Sequence, residues 1–120
     1  VYTKEEGEEN LQITMKKMQA FPEEKYRILR MTTTAAAASV ADGSLDLIYL
    51  DAGHMYTDAS ADIEAWWPKL RVGGLFTGDD YYNGYVARAG YTFGVKDAVD
   101  EFFAGINHRV YLSDYADAEE

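Results

Sequence analysis

Apolar residues recur along this chain in two alternating ways, at helical spacing and in short continuous runs. In Thr3–Ala20, Leu11, Met15 and Met18 fall on one face, with Ile13 off it. Glutamates gather at the start and Lys16 and Lys17 near the end, the polarity that suits a helix dipole, and Phe21-Pro22 stops the segment. "YRILRM", Tyr26–Met31, predicts a short strand. Thr32–Ala41 predicts a small helix with a threonine as N-cap, and Asp42–Ser44 a turn. "LDLIYLD" follows, a strand whose continuous apolar stretch predicts burial on both faces, as in a parallel sheet.

The clearest helical pattern is Thr57–Arg71. Ala59, Ile63, Trp66, Trp67 and Leu70 lie at helical spacing, with Asp58, Asp62 and Glu64 elsewhere. Thr57 or Asp58 is its expected cap and Gly73-Gly74 its end. "GLFTGDDYY" predicts a third strand running into two aspartates, and Tyr82–Thr92 a Gly- and Tyr-rich loop. Phe93–Ile106 predicts a helix with Val95, Ala98, Val99, Phe102 and Phe103 inward, and "HRVYLSD" a final strand before an acidic tail, "DYADAEE", expected to fray. Strands alternating with helices predict an α/β architecture with a mainly parallel sheet of about four strands, in one domain over residues 1–120.

Composition narrows the function classes. A formal net charge of −10 argues against a surface that tracks nucleic-acid phosphates, which needs basic clusters. With no cysteine, disulfides, thiolate metal sites and cysteine nucleophiles are excluded. No apolar run reaches membrane-spanning length and no signal-peptide pattern is visible, so the expected setting is cytoplasmic, away from membranes. The opening valine raises the expectation of a processed chain or of a piece of something longer.

The chemistry-bearing residues gather where two predicted strands end, Asp51 on one and Asp79-Asp80 on the next. A helix joins those strands. If they are parallel neighbours, their carboxyl ends share one sheet edge and the three carboxylates converge. Converging carboxylates repel unless a cation or shared protons relieve them, and hard oxygen donors suit Mg²⁺, Ca²⁺ or Mn²⁺. His54, three residues past Asp51, is placed to take a substrate proton near neutral pH. The plainer alternative stands beside this: aspartates after strands commonly form turns or cap helices, and His54 alone reads more readily as a turn or packing residue than as a base.

"SLDLIYLDAGHMYTDASADIEAWWPKLRVGGLFTGDDYY", followed by "FGVKDAVDEFF", resembles the second half of class I S-adenosylmethionine-dependent methyltransferases. The likeness runs over Arg27–Phe103. It rests on Asp-x-x-His-x-Tyr at a strand end and on W-x-x-L-x-x-G-G after the next helix. It implies a three-layer Rossmann-like fold with flanking helices, truncated at its start. By the resemblance, Met31, Thr32 and Thr33 stand near the adenine of S-adenosylmethionine, and Asp51 also faces the cofactor. The catechol-type O-methyltransferases sharpen it: Asp51, Asp79 and Asp80 match their Mg²⁺ positions in order, with Asp80 in place of an asparagine. His54 stands where their base is a lysine. The resemblance therefore implies methyl transfer to the oxygen of a small hydroxylated acceptor, with His54 as base.

One part of the family pattern is missing. The family opens with a strand and a Gly-rich turn that cradles the cofactor, and no G-x-G-x-x-G occurs here; Gly7, in "KEEGEEN", has no strand before it. Thr3–Ala20 corresponds to material after that lost region. The alternatives are thus a non-catalytic α/β fragment acting as an oligomerisation or binding module, and a small metal-binding hydrolase-like domain. Bare parallel strand edges invite a second copy, so a homodimer is expected. Tyr81, Tyr82, Tyr85 and Tyr91 either shape the acceptor pocket or form an ordinary surface or interface.

Overall fold

A computed structural model describes residues 3–113, so the acidic tail lies outside the described residues. The chain divides into two compact units, residues 1–32 and 33–120.

The first unit contains one helix, α1 (Lys4–Met18). The Thr3 hydroxyl accepts from the Glu6 amide while the Glu6 carboxylate accepts from the Thr3 amide, a capping box that satisfies two otherwise orphaned donors. No residue of α1 is buried. A single 3₁₀ turn, Glu23–Lys25, follows Pro22, and Arg30 pairs with Glu8. The strand expected at Tyr26–Met31 does not form: Ile28 and Met31 are exposed, and a strand needs a ladder partner to persist.

The second unit runs α2 (Thr33–Ala37), β1 (Leu45–Leu50), α3 (Tyr56–Trp66), β2 (Leu70–Gly78), β3 (Asn83–Val86), β4 (Tyr91–Gly94) and α4 (Val95–Gly105). β1 and β2 pair in parallel, with Ile48 opposite Phe76 and Leu50 opposite Gly78. Gly78 is required there, because a Cβ would stand 2.7 Å from the Leu50 carbonyl oxygen. α3 is shorter than its pattern predicts. Pro68 has no N–H for a further helical turn, so the chain tightens into a 3₁₀ turn, Trp67–Lys69, and enters β2 directly. Neither Thr57 nor Asp58 caps α3; Met55 holds the cap position without a side-chain bond.

Helices α3 and α4 enclose the core of Ala59, Ile63, Val95, Ala98 and Phe103, against which Leu50, Trp67, Phe76, Val99 and Phe102 pack. The inward positions read from the α4 pattern are those observed. Trp67 is the core tryptophan, with its ring centroid 5.2 Å from Phe103 and 5.8 Å from Phe76.

The mixed α/β architecture with a parallel sheet is observed, but the expected mainly parallel sheet of about four strands is not seen among the described residues. Among the described residues the parallel sheet has two strands, and β3 and β4 make a separate antiparallel hairpin. That hairpin occupies the expected Gly- and Tyr-rich loop, and its β4 takes in Phe93, expected as the start of the helix. Residues 108–113 form no strand. Nor is β1 buried on both faces: Ile48 is buried, whereas Leu47 and Tyr49 are exposed, as is Leu75 beside them on β2. No described helix is long and apolar enough to cross a membrane.

Candidate active site

Parallel pairing carries β1 and β2 to a common rim, and the Asp79 amide extends the ladder by donating to the Leu50 carbonyl at 3.2 Å. Asp51 leaves the end of β1 and Asp79-Asp80 the end of β2. Asp80 has φ 54°, the left-handed region that aspartate tolerates better than most residues. The Asp79 carboxylate steadies that turn by accepting the Asp80 amide at 2.7 Å.

His54 lies between the two strand ends. Its Nε2 is 3.0 Å from Asp80 Oδ2 and 3.3 Å from Asp51 Oδ1. One ligand atom from each of Asp51, His54 and Asp80 falls within 4.8 Å of the other two, a donor set of two hard oxygens and an imidazole nitrogen. Such a set fits a divalent cation chemically, with the oxygens suiting Mg²⁺ and the nitrogen favouring softer first-row ions. Asp79 is outside this triangle, with its other oxygen accepting the Tyr49 hydroxyl at 3.2 Å.

The other side of His54 belongs to the hairpin. Nδ1 is 3.0 Å from the Tyr91 hydroxyl, and the ring stacks on Phe93 at 4.5 Å and 12°. The His54 carbonyl accepts the Gly94 amide at 2.8 Å. Gly94 permits this approach, because a Cβ there would stand 2.7 Å from Tyr56 Cβ. The segment after Asp80 is lashed to α4. Tyr81 donates its hydroxyl to Asp100, Lys96 Nζ bonds Asp100 at 2.7 Å, and Asn83 exchanges bonds of 2.8 and 3.1 Å with Asp97. The Lys96 ammonium, and then the Tyr81 hydroxyl, hold the Asp100 carboxyl below its usual range; donating to Asp100 raises the Tyr81 phenol.

Of the residues expected to meet the cofactor, Thr33 and Asp51 border an open groove of about 290 Å³ along the free edge of β1, with Leu50, Ala52 and Trp66. That volume is at the lower end for a ligand pocket. The Thr33 hydroxyl is already donated to Asp62, which is buried at 4 % exposure although it lies off the apolar face read for α3. Met31 and Thr32 close the first unit, where Met31 is exposed. The roles of Tyr91 and Phe93 were missed. The alternation Tyr91-x-Phe93 between Gly90 and Gly94 was the available strand signal.

A Sinorhizobium fredii protein named "Uncharacterized protein y4gI" is 48 % identical over 44 residues, covering 37 % of this chain and 5 % of that protein. The chain thus matches only a small part of that relative's length. No solved structure matches. A family model described as "Methyltransferase domain" matches residues 2–81 of the 120, taking in Asp51, His54, Asp79 and Asp80. The chain therefore belongs to this methyltransferase family, of the class I S-adenosylmethionine-dependent kind.

Proposed function

We propose that this chain carries the acceptor-side chemistry of an S-adenosylmethionine-dependent O-methyltransferase acting on a small hydroxylated molecule. The observation that carries the reading is His54 Nε2 lying between Asp51 and Asp80 at the common rim of β1 and β2. His54 takes the proton of the acceptor hydroxyl on Nε2 and so leaves that oxygen as the nucleophile for methyl transfer. When bound, S-adenosylmethionine supplies the electrophilic methyl group and a divalent cation the Lewis acidity that favours the alkoxide or phenolate. Asp51 and Asp80 would hold that cation through their oxygens, with Asp79 as the third carboxylate in place of His54, whose Nε2 stays free for the proton. Thr33 and Asp51 are the cofactor-side residues bordering the groove. Met31 and Thr32 carry the same expectation from the family resemblance. The fuller Rossmann-like sheet belongs to this reading too, as does a homodimer, for which light scattering should give twice the monomer mass.

The test is calorimetry with S-adenosylhomocysteine on the full chain, followed by methyl transfer to catechol as a probe acceptor. Binding is expected. His54→Ala should keep it while transfer falls roughly 10²–10⁴-fold, the usual worth of a general base. Absence of binding heat at high ligand concentration would move the chain to the non-catalytic alternative. Mg²⁺ affinity equal in Asp51→Asn and the wild type would remove Asp51 as a ligand.

A further inference from the structure

We infer that Tyr91 is the positioning residue of His54, fixing which ring nitrogen faces the acceptor; this rests on reading His54 as the base. β4 grips His54 at three points. Tyr91 meets Nδ1 at 3.0 Å, Phe93 stacks on the ring at 4.5 Å, and the Gly94 amide holds the backbone carbonyl at 2.8 Å. Tyr91 and Phe93 alternate along the strand and so share one face, with ring centroids 5.3 Å apart. Both lie beyond residue 81, where the family match ends, so the grip is not part of the matched region.

The three contacts do different work. The backbone bond places the residue and the stack sets the plane of the ring. Neither distinguishes the ring from its flipped form, in which Nδ1 and Nε2 exchange places with carbons. Asp51 and Asp80 do favour a nitrogen on their side, through Nε2. Once a cation engages those two carboxylates, Tyr91 is the directional partner that still separates the two orientations. A phenol hydroxyl both donates and accepts, so it can keep the bond whether or not Nδ1 carries the proton. Against the two carboxylates Nε2 carries the proton and Nδ1 accepts the Tyr91 hydroxyl; in the base-competent form, with a cation on those carboxylates, Nδ1–H donates to the Tyr91 oxygen and the Nε2 lone pair faces the rim. After proton uptake the same bond holds the imidazolium.

The experiment is long-range ¹H–¹⁵N spectroscopy of the imidazoles in the full chain, without cofactor or metal, at one fixed pH. The chain has two histidines, and His108→Gln assigns their signals. The wild type should show His54 Nδ1 displaced from the position of an unbonded imidazole nitrogen, with a single ring orientation. Tyr91→Phe, which keeps the ring and its packing, should move Nδ1 to the unbonded position, and should populate the flipped ring in an Asp51→Ala, Asp80→Ala background, where no carboxylate holds Nε2. Phe93→Leu should keep the Nδ1 signature. An unbonded Nδ1 in the wild type overturns the assignment without any variant; so does an unchanged Nδ1 in Tyr91→Phe, or its loss in Phe93→Leu. Because these spectra need no S-adenosylhomocysteine, a chain that fails to bind it loses the methyltransferase reading but leaves the Tyr91 result intact.

Discussion

On one face of the β1–β2 sheet, Leu50 and Phe76 pack against the α3–α4 cluster and Ile48 is buried; on the other, Leu47, Tyr49 and Leu75 are 57 %, 59 % and 60 % exposed. The side chains on the two faces are of similar kind. What separates them is coverage, since both α3 and α4 contribute to the core on the Phe76 side. An apolar run shows that a strand can be buried twice but not that two layers are present to bury it. The rim depends less on coverage. Asp51 and Asp80 come from strand ends, and parallel register alone brings those ends together. A sheet with one helical layer can therefore still bring Asp51, His54 and Asp80 to one rim.

The largest expected effect tests the covered face. Ile63 is the largest fully buried side chain among the described residues, at 0 % exposure in the centre of the cluster. Ile63→Ala should destabilise the fold by about 2–5 kcal/mol, combining lost transfer energy with the cavity left behind. Urea unfolding measures it as a lowered midpoint at constant slope. A loss below about 1 kcal/mol would mean the α3–α4 cluster is not what holds the sheet.

How much of this was legible follows from what each element needs. α3 and α4 each carry an apolar face at helical spacing, a local property, and both were read with their inward residues. Asp51, His54 and Asp80 were legible because strand ends and chain order fix them. Tyr26–Met31 and residues 108–113 have strand-like composition, but a strand also needs a neighbour, which composition cannot supply. The hairpin was hidden for the opposite reason: Gly84, Gly90 and three nearby tyrosines resemble a loop, whereas its pairing fixes it. Asp62 was placed off the apolar face because its character is polar; its burial depends on Thr33, 29 residues away. Asp79 stands apart from the triangle of Asp51, His54 and Asp80 because its oxygens go to Tyr49 and to the Asp80 amide, neither of them visible in the pattern.

The open face supplies a smaller effect and a direct control. Leu47 and Leu75 are register partners on the exposed side. Exchanging both for threonine, whose β-branching suits a strand, should change stability by no more than about 0.5 kcal/mol, as for most surface substitutions. A cost above about 1 kcal/mol would show that this face is covered in solution, and the contrast between the faces would collapse. The same variant should remain as soluble as the wild type or become more so, since it removes exposed apolar area.

The smallest effect lies on the hairpin side of the rim, where Lys96, Asp100 and Tyr81 tie the segment after Asp80 to α4. Asp100 is held below its ordinary value chiefly by Lys96. Its contribution to stability is therefore present above the ordinary aspartate range and disappears as pH falls through the lowered value. Lys96 is raised, chiefly by Asp100, so its part is present below the ordinary lysine range and is lost only as pH rises through the raised value. Lys96→Met should move the Asp100 titration back toward the ordinary range. It should also leave a small stability deficit, constant through neutral pH and vanishing in acid, where wild type and variant both carry a protonated Asp100. Carboxyl-carbon NMR reads the titration, and unfolding midpoints at acid and neutral pH read the deficit. An Asp100 titration unmoved by the substitution would show that the ammonium does not engage it, leaving the Tyr81 hydroxyl and the Asn83–Asp97 pair to hold this side of the site.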